Sequence, residues 1–331
     1  MKRRGFLFSV PASAVWLSGV AGAQVPQKPL KVGYLSAGGR DAEFQGPNPE
    51  SPTAKALTQG LRDLGYRYGS DFILEGRGGE GRPDRYVAVA RELVALKVDV
   101  IVAAGPTLDA VRRATSTIPV VMVGGAVDPI EEKLVASLAA PGGNITGLTL
   151  QQVDLVGKRL QLLKEVVPGD APIAVLWEDT SVGSWRATRT AAAARSWQLL
   201  PYNTSSRAAI ERACASAKAA GAGSLLVVSG GVLFENAAHV ATVAAMNRLP
   251  AMYALRKFPE QGGLMSYAAD LNELYRRAAT FVDRIAKAVS PATMPIEQPT
   301  KFELVINLRA AKSVNITIPQ SILLRADYLI Q

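Results

Sequence analysis

The sequence has few of the side chains that most often carry catalysis, metal binding or covalent crosslinks. Its 331 residues include one cysteine, Cys214, and one histidine, His239. One cysteine excludes an internal disulfide, so the hydrophobic core must hold the fold, and one histidine excludes a histidine-rich metal site. We expect Cys214 to be a small buried apolar residue and His239 to pack on a helix or lie at its surface. We predict no metal, no cofactor and no catalytic residue.

Longer functional patterns are also absent or incomplete. No Gly-x-Ser-x-Gly motif accompanies His239, and no apolar run after residue 23 reaches membrane-spanning length. The net charge is +9, but no basic block alternates with aromatic residues, which disfavours nucleic-acid binding. Residues 76–81 fit Gly-x-Gly-x-x-Gly, but Asp99 stands at the start of the next strand rather than at its end. We interpret this run as a flexible loop before a helix.

The N-terminus has the pattern of an export signal. Residues 2–4 are basic, residues 6–20 form a short apolar run, and residues 21–23 are Ala-Gly-Ala, a small-x-small cleavage pattern. We interpret residues 1–23 as a signal peptide, and Arg-Arg at residues 3–4 leaves general secretion and twin-arginine export both open. No cysteine stands at the predicted cleavage point to carry a lipid. We therefore expect a soluble mature protein outside the inner membrane, without a lipid anchor.

Short apolar segments alternate with amphipathic helical patterns along most of the chain. The predicted strands are 31–35, 72–74, 98–104, 118–123, 173–177, 197–201, 224–228, 251–253, 264–267 and 302–306. The predicted helices are 57–65, 83–94, 107–114, 130–138, 154–167, 185–195, 207–220, 234–247 and 271–288. The turn-rich residues 141–144, Pro-Gly-Gly-Asn, are interpreted as a hinge crossing between two series. This alternation predicts parallel α/β sheets in two similar lobes.

The fold class predicted is α/β, with a parallel sheet flanked by helices in each of two lobes. Lobe 1 is predicted to contain residues 28–147 plus about 268–304, and lobe 2 residues 148–267 plus about 305–331. Sharing the C-terminal elements between the lobes would make the hinge multi-stranded.

Ligands of open parallel sheets bind at the carboxyl ends of the strands, so the loops at those ends supply the candidate site. In lobe 1 these loops are 36–38, 105–107 and 124–128, and in lobe 2 they are 177–181, 229–231 and 253–256. The candidate ligand-binding residues, taken from these loops and from nearby aromatic positions, are Tyr34, Ser36, Phe44, Gly105, Thr107, Asp128, Trp177, Asp179, Ser181, Gly230 and Tyr253.

Several candidates admit both a binding role and a structural role. Thr107 begins a helix, where it either holds an anionic or carbonyl end of a ligand or simply caps the helix. Asp128 either pairs with an amine or hydroxyl or caps a helix near Pro129, and Asp179 is a second candidate for the amine. Trp177 forms either a stacking wall or part of the core. Tyr34, Phe44, Tyr253 and Tyr267 are weaker aromatic candidates of the same kind.

Runs such as Pro141-Gly142-Gly143-Asn144-Ile145-Thr146-Gly147-Leu148 and Gln298-Pro299-Thr300-Lys301-Phe302-Glu303-Leu304 have the pattern of a known family. Further runs of this kind lie at residues 82–85, 119–129, 134–140, 157–164, 262–267, 318–319 and 323–327. Together they resemble the ABC transporter substrate-binding family that includes tryptophan/tyrosine-binding proteins. The resemblance covers essentially the whole chain after the signal.

The resemblance implies a two-lobed, type I-like periplasmic-binding-protein fold that closes on a small, amino-acid-like molecule. It also implies a periplasmic location, an ABC permease of the inner membrane as partner, and a monomer without nucleic acid. The Trp177 loop departs from the family's pattern, because Glu178-Asp179-Thr180 stand where many members continue Asn-Pro; the added acids favour a cationic or polyol ligand. Two alternatives remain: an exported sensory module with the same fold, and a hydrolase using acids around Glu178 and Asp179.

Overall fold

The computed structural model describes residues 28–105, 107–125, 128–228 and 230–331. The expected export signal at residues 1–23 lies outside the described residues, as do Pro106, Ala126, Val127 and Ser229 of the predicted binding loops. The described residues form two α/β domains, each built around one mostly parallel sheet. We call the first sheet with the helices that cover it domain 1, and the second sheet with its helices domain 2.

The sheet of domain 1 is entirely parallel. Its strands are β1 (Leu30–Ser36), β2 (Phe72–Gly78), β3 (Val100–Ala103), β4 (Val120–Val123) and β5 (Ile145–Leu148). They lie in the order β2-β1-β3-β4-β5. Two of the three inner strands, β3 and β4, are buried at every position, which explains their continuous Val/Ile-rich sequence.

The sheet of domain 2 has one antiparallel pair. Its strands are β6 (Ile173–Trp177), β7 (Leu199–Asn203), β8 (Ser224–Val227), β9 (Ala251–Tyr253), β10 (Met265–Ala269), β11 (Phe302–Asn307) and β12 (Tyr328–Ile330). They lie in the order β12-β11-β10-β9-β8-β6-β7, and only the pair β10–β11 is antiparallel. The carboxyl-end loops of β6 to β10 therefore collect at one edge, as in domain 1, while β11 and β12 run in the opposite direction.

Helices cover both faces of each sheet. They are α1 (Pro52–Asp63), α2 (Pro83–Ala95), α3 (Thr107–Ala114), α4 (Val156–Val166), α5 (Val182–Ala193), α6 (Arg207–Ala219), α7 (Gly231–Glu235), α8 (Ala237–Met246), α9 (Lys257–Glu260), α10 (Leu271–Ala286), α11 (Leu308–Ser313) and α12 (Gln320–Leu323). Helix α10 lies between two strands of domain 2 in sequence but packs on α1 of domain 1. The chain therefore crosses between the sheets three times, after β5, after β10 and after α10.

The predicted helix 130–138 is wrong, because local side-chain bonds replace helical ones there. The Asp128 carboxylate accepts a hydrogen bond from the Ile130 amide at 2.7 Å, and Lys133 has a left-handed φ of 54°. The Ser137 hydroxyl then pairs with the backbone of Ala140. Asp and Ser offer the backbone such alternatives to a helix, so this apolar segment forms consecutive turns.

Two more secondary-structure predictions are corrected. Residues 76–78 are the end of strand β2 rather than a flexible loop, because Gly76 packs directly on Phe44 and Gly78 on the Gly39 carbonyl, where a Cβ would not fit. Strand β5 was not predicted, and because it pairs with β4 of domain 1, the chain leaves this domain after β5 and not at the predicted hinge crossing of residues 141–144. The predicted helix 234–247 is two helices, α7 and α8, that meet at Asn236.

The prediction for Cys214 is confirmed, since its side chain is buried within α6. Burial raises the pKa of this thiol to about 12. We therefore expect no reaction of the native protein with a thiol reagent such as DTNB at pH 8, and one reactive thiol per chain in guanidinium chloride, because the thiolate is the reactive form. Rapid modification before unfolding would contradict the buried placement.

The described helices include none that is long and apolar enough to cross a membrane.

Candidate functional site

Carboxyl-end loops of the two sheets contact each other, and we call the region where they meet the cleft. Gly38, which follows β1, lies against the Glu235 carboxylate at the end of α7, so closely that a Cβ on Gly38 would overlap it. On another side of the cleft, a Cβ placed on Gly183 at the start of α5 would lie 3.9 Å from Oε2 of Glu131. The segments that follow β1 and β4 of domain 1 thus meet those that follow β6 and β8 of domain 2.

Two aromatic candidates of domain 1 lie in its core. Tyr34 is 1% exposed, its ring is 5.3 Å from that of Phe44, and its hydroxyl is 2.7 Å from the Thr53 hydroxyl. Burial raises the pKa of Tyr34, while its hydrogen bond to Thr53 opposes that rise. Ser36 ends β1 and is half-buried at the cleft side. Tyr34 and Phe44 therefore belong to the buried core of domain 1, next to the loop that follows β1.

The loop after β3 contains Gly105, which is half-buried, and leads to Thr107, which is 0% exposed. Gly105 has a left-handed φ of 55°, and no atom lies within 4 Å of where its Cβ would be. The Thr107 hydroxyl donates to the Ala104 carbonyl at 2.8 Å, closing the turn that begins α3. Such a bond leaves the oxygen lone pairs of Thr107 as acceptors.

Asp128 and Asp179 are exposed, and the carboxylate of each accepts hydrogen bonds from the same domain. The Asp128 carboxylate accepts from the Ile130 amide at 2.7 Å and from the Glu131 amide at 3.4 Å, so it caps the turn that follows. Asp179 accepts from the Asn203 side-chain amide at 2.8 Å. One hydrogen bond of this kind leaves acceptor capacity on a carboxylate, so neither contact prevents a bond to a ligand.

Trp177 ends β6 at the cleft and is half-buried. Its ring stacks on that of Trp185 from α5, with centroids 5.7 Å apart and planes 15° apart. The indole Nε1 is buried and has no hydrogen-bond partner within the described part of the chain. A buried indole N–H normally finds an acceptor, so this unpaired donor is an exception that a binding role for Trp177 would explain.

Two remaining candidates of domain 2, Ser181 and Tyr253, make their contacts within that domain. The Ser181 hydroxyl bonds the backbone of Glu178 at both its amide and its carbonyl, at 3.0 and 2.9 Å. Tyr253 is 0% exposed and stacks on Phe258 with ring centroids 4.8 Å apart. Burial raises the pKa of Tyr253 far above its usual value. Tyr253 thus belongs to the interior of domain 2.

Glu178 has a role that the sequence did not indicate. Its carboxylate, 6% exposed as a residue, accepts from the Val232 amide at 3.1 Å and the Leu233 amide at 2.6 Å. These amides open α7, where free N–H groups attract an anion. Burial raises the pKa of Glu178 and these backbone bonds oppose the rise. Gly230 gives the carboxylate room, because a Cβ there would overlap it.

Replacing Gly230 by alanine should therefore displace Glu178 and lower the free energy of unfolding by about 2 kcal/mol. In a Glu178→Ala background the same substitution should cost far less, because the overlapping group is gone. Urea denaturation of the two single variants and the double variant measures this coupling. Additive effects of the two substitutions would contradict the described contact.

A charged cluster lies where α7 meets domain 1. The Lys257 ammonium is 4.1 Å from the ring centroid of Phe234. Burial raises the pKa of Glu235 and lowers that of Lys257, and each charge opposes the shift of the other. Tyr86 of domain 1 has its pKa raised to about 12 by burial and then by the charges of Glu235 and Glu178.

The neighbouring acids Glu178 and Asp179 bond different parts of domain 2. Glu178 bonds backbone amides of α7, whereas Asp179 bonds Asn203. Over the described ranges no three His, Cys, Asp or Glu side chains are grouped to hold a metal ion. His239 lies on α8 with Nε2 3.0 Å from Oε1 of Glu211, a helix-packing position as expected.

Comparison with known proteins shows the family. The chain matches the family described as ABC transporter substrate binding protein over residues 50–330 and belongs to it. A curated relative is the tyrosine-binding protein of Clostridioides difficile strain R20291. It is 23% identical over 265 residues, which cover 79% of this chain and 76% of that protein.

Solved structures share the two-domain fold. A conserved domain protein from Vibrio cholerae O1 biovar El Tor N16961 superposes with a TM-score of 0.82 at 25% identity, covering 91% of this chain and 100% of that one. The ABC domain from Streptococcus pneumoniae in complex with L-Trp also has a TM-score of 0.82, at 22% identity, covering 92% and 100% of the two chains. The expected two-lobed periplasmic-binding-protein fold is thus confirmed.

Proposed function

We propose that this protein is the exported solute receptor of an ABC importer and that it binds one amino-acid-like molecule in the cleft between its domains. The observation that carries the proposal is the meeting of carboxyl-end loops from both sheets, Gly38 with Glu235 and Glu131 with Gly183. A ligand that touches both sets of loops stabilises the arrangement in which they meet. Release to a permease of the inner membrane then requires the domains to separate.

The groups at the cleft suit a zwitterionic ligand. Thr107 and the open backbone at Gly105 would receive the carboxylate or carbonyl end, near the start of α3. Asp128 or Asp179 would receive the amine. Trp177, with its unpaired indole N–H and its stacked partner Trp185, would form the aromatic wall. The tyrosine-binding relative and the L-Trp complex of a structural neighbour support an aromatic amino acid as the first ligand to test.

A thermal-shift panel tests this function. The chain without residues 1–23 would be screened against amino acids, sugars, polyols, nucleosides and small carboxylates. A ligand that binds only the folded state adds about 2.7 kcal/mol of stability at about a hundred times its Kd. We expect the largest shift with an aromatic amino acid. A shift with another class would keep the receptor function and reject the aromatic wall, whereas no shift with any compound would count against a small-molecule receptor.

A further inference from the structure

Arg159 is a fully buried cation, and no acidic side chain among the described residues pairs with it. It lies in the first turns of α4 and is 2% exposed. The groups that contact its guanidinium within the described residues are backbone carbonyls. Burial lowers its pKa to about 9, so the group is still charged at neutral pH. Burying a charge without a counter-charge is costly, so its position needs an explanation.

The three carbonyls belong to three separate segments at the cleft side of domain 2. Nε donates to the Tyr267 carbonyl in β10 at 2.7 Å, and Nη2 donates to the Ala254 carbonyl just after β9 at 3.2 Å. Nη1 donates to the Gln152 carbonyl at 3.2 Å. Gln152 lies in residues 149–155, the first crossing of the chain between the sheets. Arg159 therefore fastens this crossing to the strand ends of domain 2.

The crossing contacts loops of both domains at the base of the cleft, which we call its floor. Leu150 packs against Gly124 at the end of β4, and Val153 lies near Gly183 at the start of α5, 3.7 Å from where its Cβ would be. The Gln152 side chain is directed to domain 2, since its Nε2 is 3.5 Å from the Ala254 carbonyl. Residues 150–153 thus bridge the two walls of the cleft.

Two buried polar atoms of the crossing have no hydrogen-bond partner among the described residues. They are Oε1 of Gln152, a residue 3% exposed, and Oγ1 of Thr149. Buried acceptors and hydroxyls are nearly always paired in folded proteins. Two buried polar atoms without partners, at a binding cleft, are a place where ligand atoms can supply the missing hydrogen bonds.

We infer that Gln152 contacts the ligand from the floor of the cleft and that Arg159 is the residue that positions it, an inference that rests on the proposed function. The planar guanidinium, with donors in several directions, holds three carbonyls at once, which a single ammonium cannot do in the same geometry. The Gln152 side chain then presents its Oε1 to a ligand N–H or O–H group.

The test begins with Gln152→Met, which conserves volume, keeps the backbone carbonyl that Arg159 holds and removes the unpaired oxygen. With L-tyrosine as the calorimetric probe, we expect Kd to rise at least about tenfold. The melting temperature of the unliganded protein should change little, because the substitution removes an unpaired oxygen and one long hydrogen bond, from Nε2 to the Ala254 carbonyl at 3.5 Å. A Kd within about twofold of the wild-type value would overturn the contact.

Arg159→Lys tests the positioning role without requiring a ligand. We expect faster hydrogen exchange at the amides of residues 150–156 in the unliganded protein, with exchange in α1 and α10 unchanged. Arg195→Lys, at an exposed position after α5, is the matched control and should alter neither exchange nor Kd. Unchanged exchange at residues 150–156 in Arg159→Lys would overturn the positioning role. Failure of the wild type to bind L-tyrosine counts against the proposed ligand class alone, and the exchange experiment still decides the role of Arg159.

Discussion

Replacing Gly147 by alanine should remove about 4 kcal/mol of stability, the largest loss that we expect from any single methyl group in domain 1. Gly147 has a φ of 130°, which L side chains rarely adopt, and it lies within β5 opposite Met122. A Cβ there would overlap the Met122 carbonyl oxygen, which strand pairing holds in place. Neither backbone can move without breaking the β4–β5 ladder.

Urea denaturation of Gly147→Ala measures the loss, with Gly143→Ala as the matched control from the same run of sequence. Gly143 has no atom within 4 Å of its Cβ position and no left-handed φ, so its substitution should change the free energy of unfolding by less than about 0.5 kcal/mol. Equal stability of Gly147→Ala and Gly143→Ala would contradict the strained pairing at β5.

The second large effect concerns ligand affinity rather than stability. Gly38→Leu would place a branched side chain where the Glu235 carboxylate of domain 2 now lies. The domains could then not reach the described arrangement, and a ligand would lose its contacts to one of them. We expect the Kd for the receptor's ligand to rise about 100-fold, equivalent to about 2.7 kcal/mol. The melting temperature without ligand should stay close to that of the wild type, because each domain keeps its own core.

A second variant shows whether this effect comes from the meeting of the domains. Combining Gly38→Leu with Glu235→Ala removes the obstructing carboxylate and should restore part of the lost affinity. The comparison is made by calorimetry on both variants and on Glu235→Ala alone. Affinity of Gly38→Leu equal to the wild-type value would show that these two residues do not meet in the ligand-bound protein.

The fold followed from the sequence because its signals are local. Thr107–Ala114 and Ile173–Trp177 form the elements that the pattern predicted, with the same bounds. Apolar runs bounded by turn residues identify buried parallel strands. The errors also have local causes: Asp128 and Ser137 bond the backbone of residues 130–140 and prevent a helix there.

The site was harder to predict from the sequence, because the residues that contact each other there are far apart along the chain. Glu178 bonds the amides of residues 232 and 233, and a sequence pattern does not show which helix a strand-end carboxylate will meet. Tyr253 lies on a strand that is buried on both faces, so its position did not reveal which way the ring points. Arg159 looked like one more basic residue on an amphipathic helix. Only the three-dimensional arrangement shows three carbonyls around it.

The central claim is that one small amino-acid-like molecule binds between the domains, and calorimetric titration of the chain without residues 1–23 tests it most directly. We predict that L-tyrosine or L-tryptophan binds at one site per chain with a Kd in the micromolar range, about −8 kcal/mol. The same titration of Gly38→Leu should give a much weaker Kd. Absence of binding by all twenty amino acids at about 1 mM would contradict the account.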